Sequence, residues 1–217
     1  MSKTNTILTN IIRAGFLGWI CFETLNWVGI LHFSLAFTWF GLVFTMSVVW
    51  SLVEFMSWRV KKTTGEPLPW FVFLAVLTSG SFDAMGDIKH WYVIYSWYDQ
   101  AAHVLGGGMT ALLIFYILWR SRNAGRMFMG KYMAGLMTVG FTMALGSCYE
   151  LEEYLEDVFR GAVGVRLGDG VDTANDMLMN TIGALIVVIL LMFFIRKVAQ
   201  WKTVREEGPT VVSSDTK

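Results

Sequence analysis

The chain has 217 residues, of which 55% are hydrophobic and 16% are charged, whereas a typical soluble domain carries about 25% charged residues. This balance argues against a soluble enzyme, a disordered chain or a secreted disulfide scaffold. Because 17 basic residues offset 17 acidic ones, it also argues against a nucleic-acid-binding protein and leaves a polytopic membrane protein.

Six stretches are predicted to form membrane-crossing helices, each of which needs roughly 20 mostly apolar residues. In chain order they are residues 7–31, 35–58, 69–82, 99–119, 127–155 and 172–195. The third is short and ends in polar sequence, and the last turns of the fifth are acidic. We therefore expect an all-α transmembrane bundle over residues 1–202, followed by a polar cytoplasmic tail over 203–217.

The basic residues predict the orientation of the bundle. If the N-terminus is inside, only Lys89, Arg160 and Arg166 lie in outer segments. The inner basic residues are Lys3, Arg13, Arg59, Lys61, Lys62, Arg120, Arg122, Arg126, Lys131, Arg196, Lys197, Lys202, Arg205 and Lys217. This bias fits the positive-inside rule with both termini cytoplasmic, in a multi-pass protein of the inner or plasma membrane.

The acidic residues are sorted in the opposite way. Most of them lie at or near the outer ends of the third to sixth spans: Asp83, Asp87, Asp99, Glu150, Glu152, Glu153, Glu156, Asp157, Asp169, Asp172 and Asp176. Of these, we expect Glu152, Glu156 and Asp157 to be solvated.

Helical spacing places several of these side chains on shared faces. The sets are Asp99 with His103, Glu150 with Glu153, and Asp172 with Asp176 and Asn180. The helical rise puts His103, Asp176 and Asn180 about 6–12 Å inside their spans. Ionisable groups at that depth usually face a bundle interior and serve a function.

Crowded carboxylates with few basic partners take up protons or recruit a cation. Carboxylates combined with imidazole suit Zn, Mn, Fe or Mg. The predicted metal ligands are Asp99, His103, Glu150, Glu153, Asp172 and Asp176.

Simpler roles stay open for the same residues. Asp99 and Asp172 could each cap the start of a helix, and His103 could be an interior histidine bonded to the backbone. Glu23 is an intramembrane acid without an evident partner. Further candidate ligands in the predicted outer connection are Asp83, Asp87 and His90.

Three motifs carry a resemblance to a known family. They are Tyr98-Asp99-x-x-x-His103-x-x-x-Gly107, Tyr149-Glu150-x-x-Glu153-Tyr154 and Gly168-Asp169-x-x-Asp172-Thr173-x-x-Asp176-Met177. Over residues 91–190 the chain resembles the YjdF-like bacterial inner-membrane proteins, and its last motif is more faintly similar to VanZ-like membrane proteins. The resemblance implies a membrane fold, but the YjdF-like family is uncharacterised and implies no reaction.

Three functions remain open from the sequence. The first is a metal-dependent enzyme in which the ion activates water or polarises an oxygen of a membrane lipid or lipid-like substrate. The second is a proton- or cation-coupled transporter. The third is a non-catalytic subunit of a larger membrane complex or homo-oligomer.

Overall fold

A computed structural model describes residues 3–161 and 166–198. Within these ranges the chain forms seven α-helices and no β-strand, which confirms the all-α class. The helices are α1 Lys3–Trp27, α2 Trp39–Thr64, α3 Trp70–Ile88, α4 Trp91–Ile94, α5 Tyr98–Asn123, α6 Lys131–Arg160 and α7 Gly170–Val198. The predicted tail over 203–217 lies outside the described residues.

Among the described helices, four are long and apolar enough to cross a membrane: α2, α3, α5 and residues 170–194 of α7. The other two predicted spans correspond to α1 and α6, which have 25 and 30 residues. Both helices carry more polar sequence, and much of it faces the protein interior. Buried polar residues include Glu23 and Asn26 in α1, and Thr138, Thr142 and Glu150 in α6.

Two helices continue further than the sequence predicts. Asp83 and Asp87 belong to the last turns of α3 rather than to a connection, and α6 runs on through Glu156 and Asp157. Of the three acids expected to be solvated, Glu156 and Asp157 are buried, at 5% and 1% exposed, so the expectation is wrong for them, and Glu152 is half-buried. The sequence predicted earlier ends for these two helices because acidic residues interrupt the apolar stretches. Sequence alone does not show that these acids face the protein interior.

Contacts between helix termini show that the long helices alternate in direction. At one end of the bundle, the Trp70 backbone N–H at the start of α3 donates to Asn5 near the start of α1 at 2.9 Å, and Arg120 near the end of α5 lies 3.1 Å from Glu66. We call this the basic end. At the opposite end, which we call the acidic end, the Phe37 backbone N–H donates to Asp87 at 2.8 Å. The acidic residues of α3, α5, α6 and α7 are therefore gathered at one end.

The closest helix crossing in the bundle joins α5 to α7. A β-carbon added at Gly107 would collide with the backbone of Asn180, and one at Gly183 would collide with the carbonyl oxygen of Val104. Only glycine allows the two backbones to approach this closely. The crossing lies about one helical turn from His103 on α5 and from Asp176 on α7, so it fixes the spacing of these two side chains.

Candidate metal centre at the acidic end

His103 lies between two carboxylates that come from different helices. Its Nε2 atom is 3.5 Å from Oδ1 of Asp99 and 3.6 Å from Oδ1 of Asp176. One ligand atom from each of the three residues lies within 4.8 Å of the others. His103 and Asp176 are buried, and Asp99 is half-buried. This group, which we call the His103 cluster, has the size of a metal-binding site.

Local sequence explains how the cluster forms. Asp99 and His103 are one helical turn apart on α5, while Asp176 and Asn180 are one turn apart on α7. The Nδ2 atom of Asn180 lies 3.1 Å from Nδ1 of His103, on the side of the ring away from the carboxylates. The imidazole is therefore held between an amide and two acids.

Several carboxylate oxygens near the cluster have no hydrogen-bond partner among the described residues. Oδ1 of Asp176 and both oxygens of Glu150 are buried without a hydrogen bond. Glu150 is 5% exposed and acts electrostatically on both His103 and Asp99. Buried carboxylates are costly unless a cation, a proton or a donor compensates them. The donor set therefore fits a bound cation.

Arg166 compensates a separate group of acids. Its Nε atom lies 3.6 Å from Glu153 and 3.3 Å from Glu156, and its side chain is 4% exposed. Glu156 also accepts a hydrogen bond from the Thr38 hydroxyl. Burial alone would lower the pKa of the Arg166 guanidinium, but neighbouring Tyr149 and Glu153 raise that pKa well above its usual value. This arginine stays charged and compensates Glu153 and Glu156 at the acidic end.

Tyr149 links the arginine to the His103 cluster. Its hydroxyl accepts a hydrogen bond of 2.9 Å from Nη2 of Arg166, and its ring packs edge-on against His103 with centroids 6.2 Å apart. The segment that carries Arg166 is held by Asp157, which accepts hydrogen bonds from the backbone N–H groups of Arg166 and Leu167.

The six predicted ligands thus have different surroundings. The structure brings Asp99, His103 and Asp176 together, whereas Glu150 lies outside this group and acts on His103 and Asp99 electrostatically. The structure places Glu153 against Arg166. Asp172 is half-buried at the start of α7, where it contributes to an open groove.

Neither helix-capping role expected from the sequence is found. The residue at the N-cap of α5 is Trp97, and Asp99 lies inside the first turn. At the start of α7, Asp169 accepts hydrogen bonds from the N–H groups of Val171 and Asp172, so Asp169 performs the role expected of Asp172. Of the further candidates, His90 bonds to Ser34 instead of joining the cluster.

Sequence reasoning missed the role of Arg166. It counted this residue only as one of three outer basic residues, too few to neutralise the acids. The signal was its position in the connection between two acidic helix ends, but nothing in that spacing predicts which carboxylates it would meet.

Comparisons with curated proteins and with solved structures each give no match. The family model described as "Predicted membrane protein (DUF2238)" matches residues 16–197, which is most of the chain. The chain therefore belongs to this family of predicted membrane proteins.

Proposed function

We propose that this membrane protein binds one divalent cation through Asp99, His103 and Asp176. The observation that supports the proposal is the convergence of three ligand atoms from α5 and α7 within 4.8 Å. The buried oxygens of Asp176 and Glu150, which have no hydrogen-bond partner among the described residues, also favour a bound cation.

The donor set suits Zn, Mn, Fe or Mg. Three protein ligands leave a coordination position open, as in catalytic zinc sites. Glu150 acts electrostatically on two of the ligands, so it is a candidate for a fourth ligand or a proton acceptor. Glu153 already pairs with Arg166, and we leave it and Asp172 outside the core ligand set.

In the same proposal, α1 and α6 also cross the membrane, which gives six spans with both termini in the cytoplasm. Apolar side chains on the outside of α6 support this, with Leu136 68% and Leu151 59% exposed, while its carboxylates face inward. The distribution of basic residues and the resemblance to YjdF-like inner-membrane proteins agree with this orientation.

This topology also suggests the class of substrate. His103 and Asp176 lie five and six residues after the starts of α5 and α7, or about 7.5 and 9 Å along the helix axes. At that depth, the group that reaches the site is the polar part of a lipid-like molecule in the outer leaflet. A bound divalent ion would polarise a phosphoryl or acyl oxygen of such a molecule.

Metal analysis of the purified protein tests the binding proposal. After exposure to Zn²⁺ or Mn²⁺ and removal of excess ion, the wild-type chain should retain one equivalent, whereas His103→Ala and Asp176→Asn should retain none. Because binding needs deprotonated ligands, acidification should release the ion. Glu66→Gln removes a carboxylate at the basic end and should keep the metal. Equal metal content in all four proteins would overturn the proposal.

A further inference from the structure

The side of α2 that points away from the bundle carries an open apolar groove of about 400 Å³. α2 packs against α1, α3 and α5, and its residues Met46, Val53 and Val60 are buried. At about 100° per residue, the groove lies on the opposite side of the helix from these three residues. It is lined by Phe44, Ser47, Val48, Ser51, Leu52 and Phe55, all of which belong to α2.

Two basic residues continue the face of the groove toward the basic end of the bundle. Arg59 and Lys62 follow Phe55 by four and seven residues, so they lie on the same side of the helix. Both are exposed, and the guanidinium carbon of Arg59 lies 5.8 Å from the centroid of the Trp58 ring. Helical side chains lean toward the N-terminus of their helix, which for α2 is the direction of the groove. Arg59 and Lys62 can therefore reach the polar end of a molecule that lies in it.

The acids nearest in sequence to these basic residues are paired with other arginines. Glu54 pairs with Arg13, and Glu66 pairs with Arg120. The ion pairs formed among the described residues do not use Arg59 or Lys62. The groove therefore ends at two positive charges that are complementary to an anionic headgroup.

The length of this surface matches one lipid molecule. Arg59 lies fifteen residues after Phe44, or about 22 Å along the helix axis. A bilayer with its headgroups is about 40–45 Å thick, so one leaflet is about 20–22 Å deep. Because α2 is long and apolar enough to cross the membrane, a single phospholipid of the leaflet at the basic end would extend from Arg59 to Phe44.

We propose that this groove binds one anionic phospholipid, with an acyl chain along residues 44–55 and the phosphate between Arg59 and Lys62. The competing occupant is α2 of a second copy of the chain. Copies in one membrane share one orientation, so the same basic residues of both copies would then face each other, which is unfavourable. Charge therefore favours the lipid. The site depends neither on metal binding at His103 nor on which side of the membrane the basic end occupies.

Native mass spectrometry of the full chain in mild detergent tests the proposal. The probes are phosphatidylglycerol and phosphatidylcholine with identical acyl chains, and the wild-type chain should retain one phosphatidylglycerol in preference to phosphatidylcholine. Lys62→Gln should weaken phosphatidylglycerol binding about fivefold, the effect expected for one basic residue near a lipid headgroup. Lys61→Gln is the matched control, because Lys61 is also exposed but is turned about 100° away from Lys62. It should bind nearly as the wild type does.

A second substitution tests the apolar part of the groove. Ser51→Trp fills the groove and leaves both basic residues in place, so it should reduce the retained phosphatidylglycerol. Leu136→Trp, at an exposed position on α6, should not reduce it. Equal retention of the two lipids by the wild type, equal losses for Lys61→Gln and Lys62→Gln, or unchanged retention by Ser51→Trp would overturn the proposal. A wild-type dimer that Ser51→Trp converts to a monomer would also overturn it, since a second copy would then occupy the groove.

Discussion

At the scale of single residues, the two nitrogens of His103 have different tasks. Nε2 faces the carboxylates, while Nδ1 lies 3.1 Å from the amide of Asn180. If Nε2 binds an ion, Nδ1 must carry the ring proton and donate it. Asn180 can then accept through its oxygen after the amide group turns over. Such outer partners fix the orientation and tautomer of a ligating histidine.

Replacing Asn180 therefore tests the metal proposal without touching a ligand. Asn180→Leu should weaken Zn²⁺ or Mn²⁺ binding by roughly 10–100-fold, the usual effect of losing an outer-shell partner. A competition titration against a chelator of known affinity measures the change. Asn180→Asp keeps an acceptor for the ring proton and should bind at least as tightly as the wild type. If the leucine variant binds normally, His103 is not oriented in this way.

At the scale of helices, the contact between α5 and α7 brings the ligands together. Gly107 lies against the backbone of Asn180, whereas the neighbouring Gly106 would place a β-carbon 3.6 Å from the Ser79 hydroxyl, an ordinary contact. The two adjacent glycines thus provide a matched pair of positions, one inside the crossing and one beside it.

Gly107→Ala should destabilise the protein by about 1–3 kcal/mol relative to Gly106→Ala, because overpacking forces the backbones apart. Both substitutions raise the helix propensity by the same amount, so the difference in stability between the two variants reports the contact at the crossing. Thermal unfolding in detergent measures this difference. The Gly107 variant should also lose affinity for the metal, since His103 moves away from Asp176. Equal stability of the two variants would show that α5 and α7 are not in backbone contact.

The helices also show what sequence could predict. Asp99 with His103, and Asp176 with Asn180, are each one turn apart, so local periodicity was enough to place them on shared faces. Glu150 and Glu153 satisfy the same rule, yet the first lies near His103 and the second meets Arg166. That division depends on how α6 and the segment before α7 pack, which spacing does not encode.

At the scale of the whole molecule, most acidic residues lie at one end of the bundle and most basic residues at the other. The sequence predicted this separation because most of the charged residues lie at or near the ends of the apolar stretches. It did not predict that the acidic end contains acids with distinct surroundings, those of the His103 cluster and those that pair with Arg166. Their separation arises from long-range contacts, such as the hydrogen bond between Thr38 and Glu156.

Single-cysteine labelling tests the proposed orientation of the bundle. Both native cysteines, Cys21 and Cys148, are exposed and would first be replaced by serine. In intact cells, a membrane-impermeant maleimide should label Lys89→Cys, which lies at the acidic end. It should label Arg126→Cys, between α5 and α6, only after the cells are permeabilised. The cysteine-free chain is the control, and the reverse pattern would contradict cytoplasmic termini.

The glycine-mediated crossing between α5 and α7 determines how these two helices respond to a change in bilayer thickness. Helices adapt to a thinner or thicker bilayer by tilting, and loosely packed neighbours tilt independently. Because the backbones of α5 and α7 touch at Gly107 and Gly183, this pair should tilt as a unit. The distance between His103 and Asp176 should then stay constant in membranes of different lipid composition, even while the surrounding helices adjust.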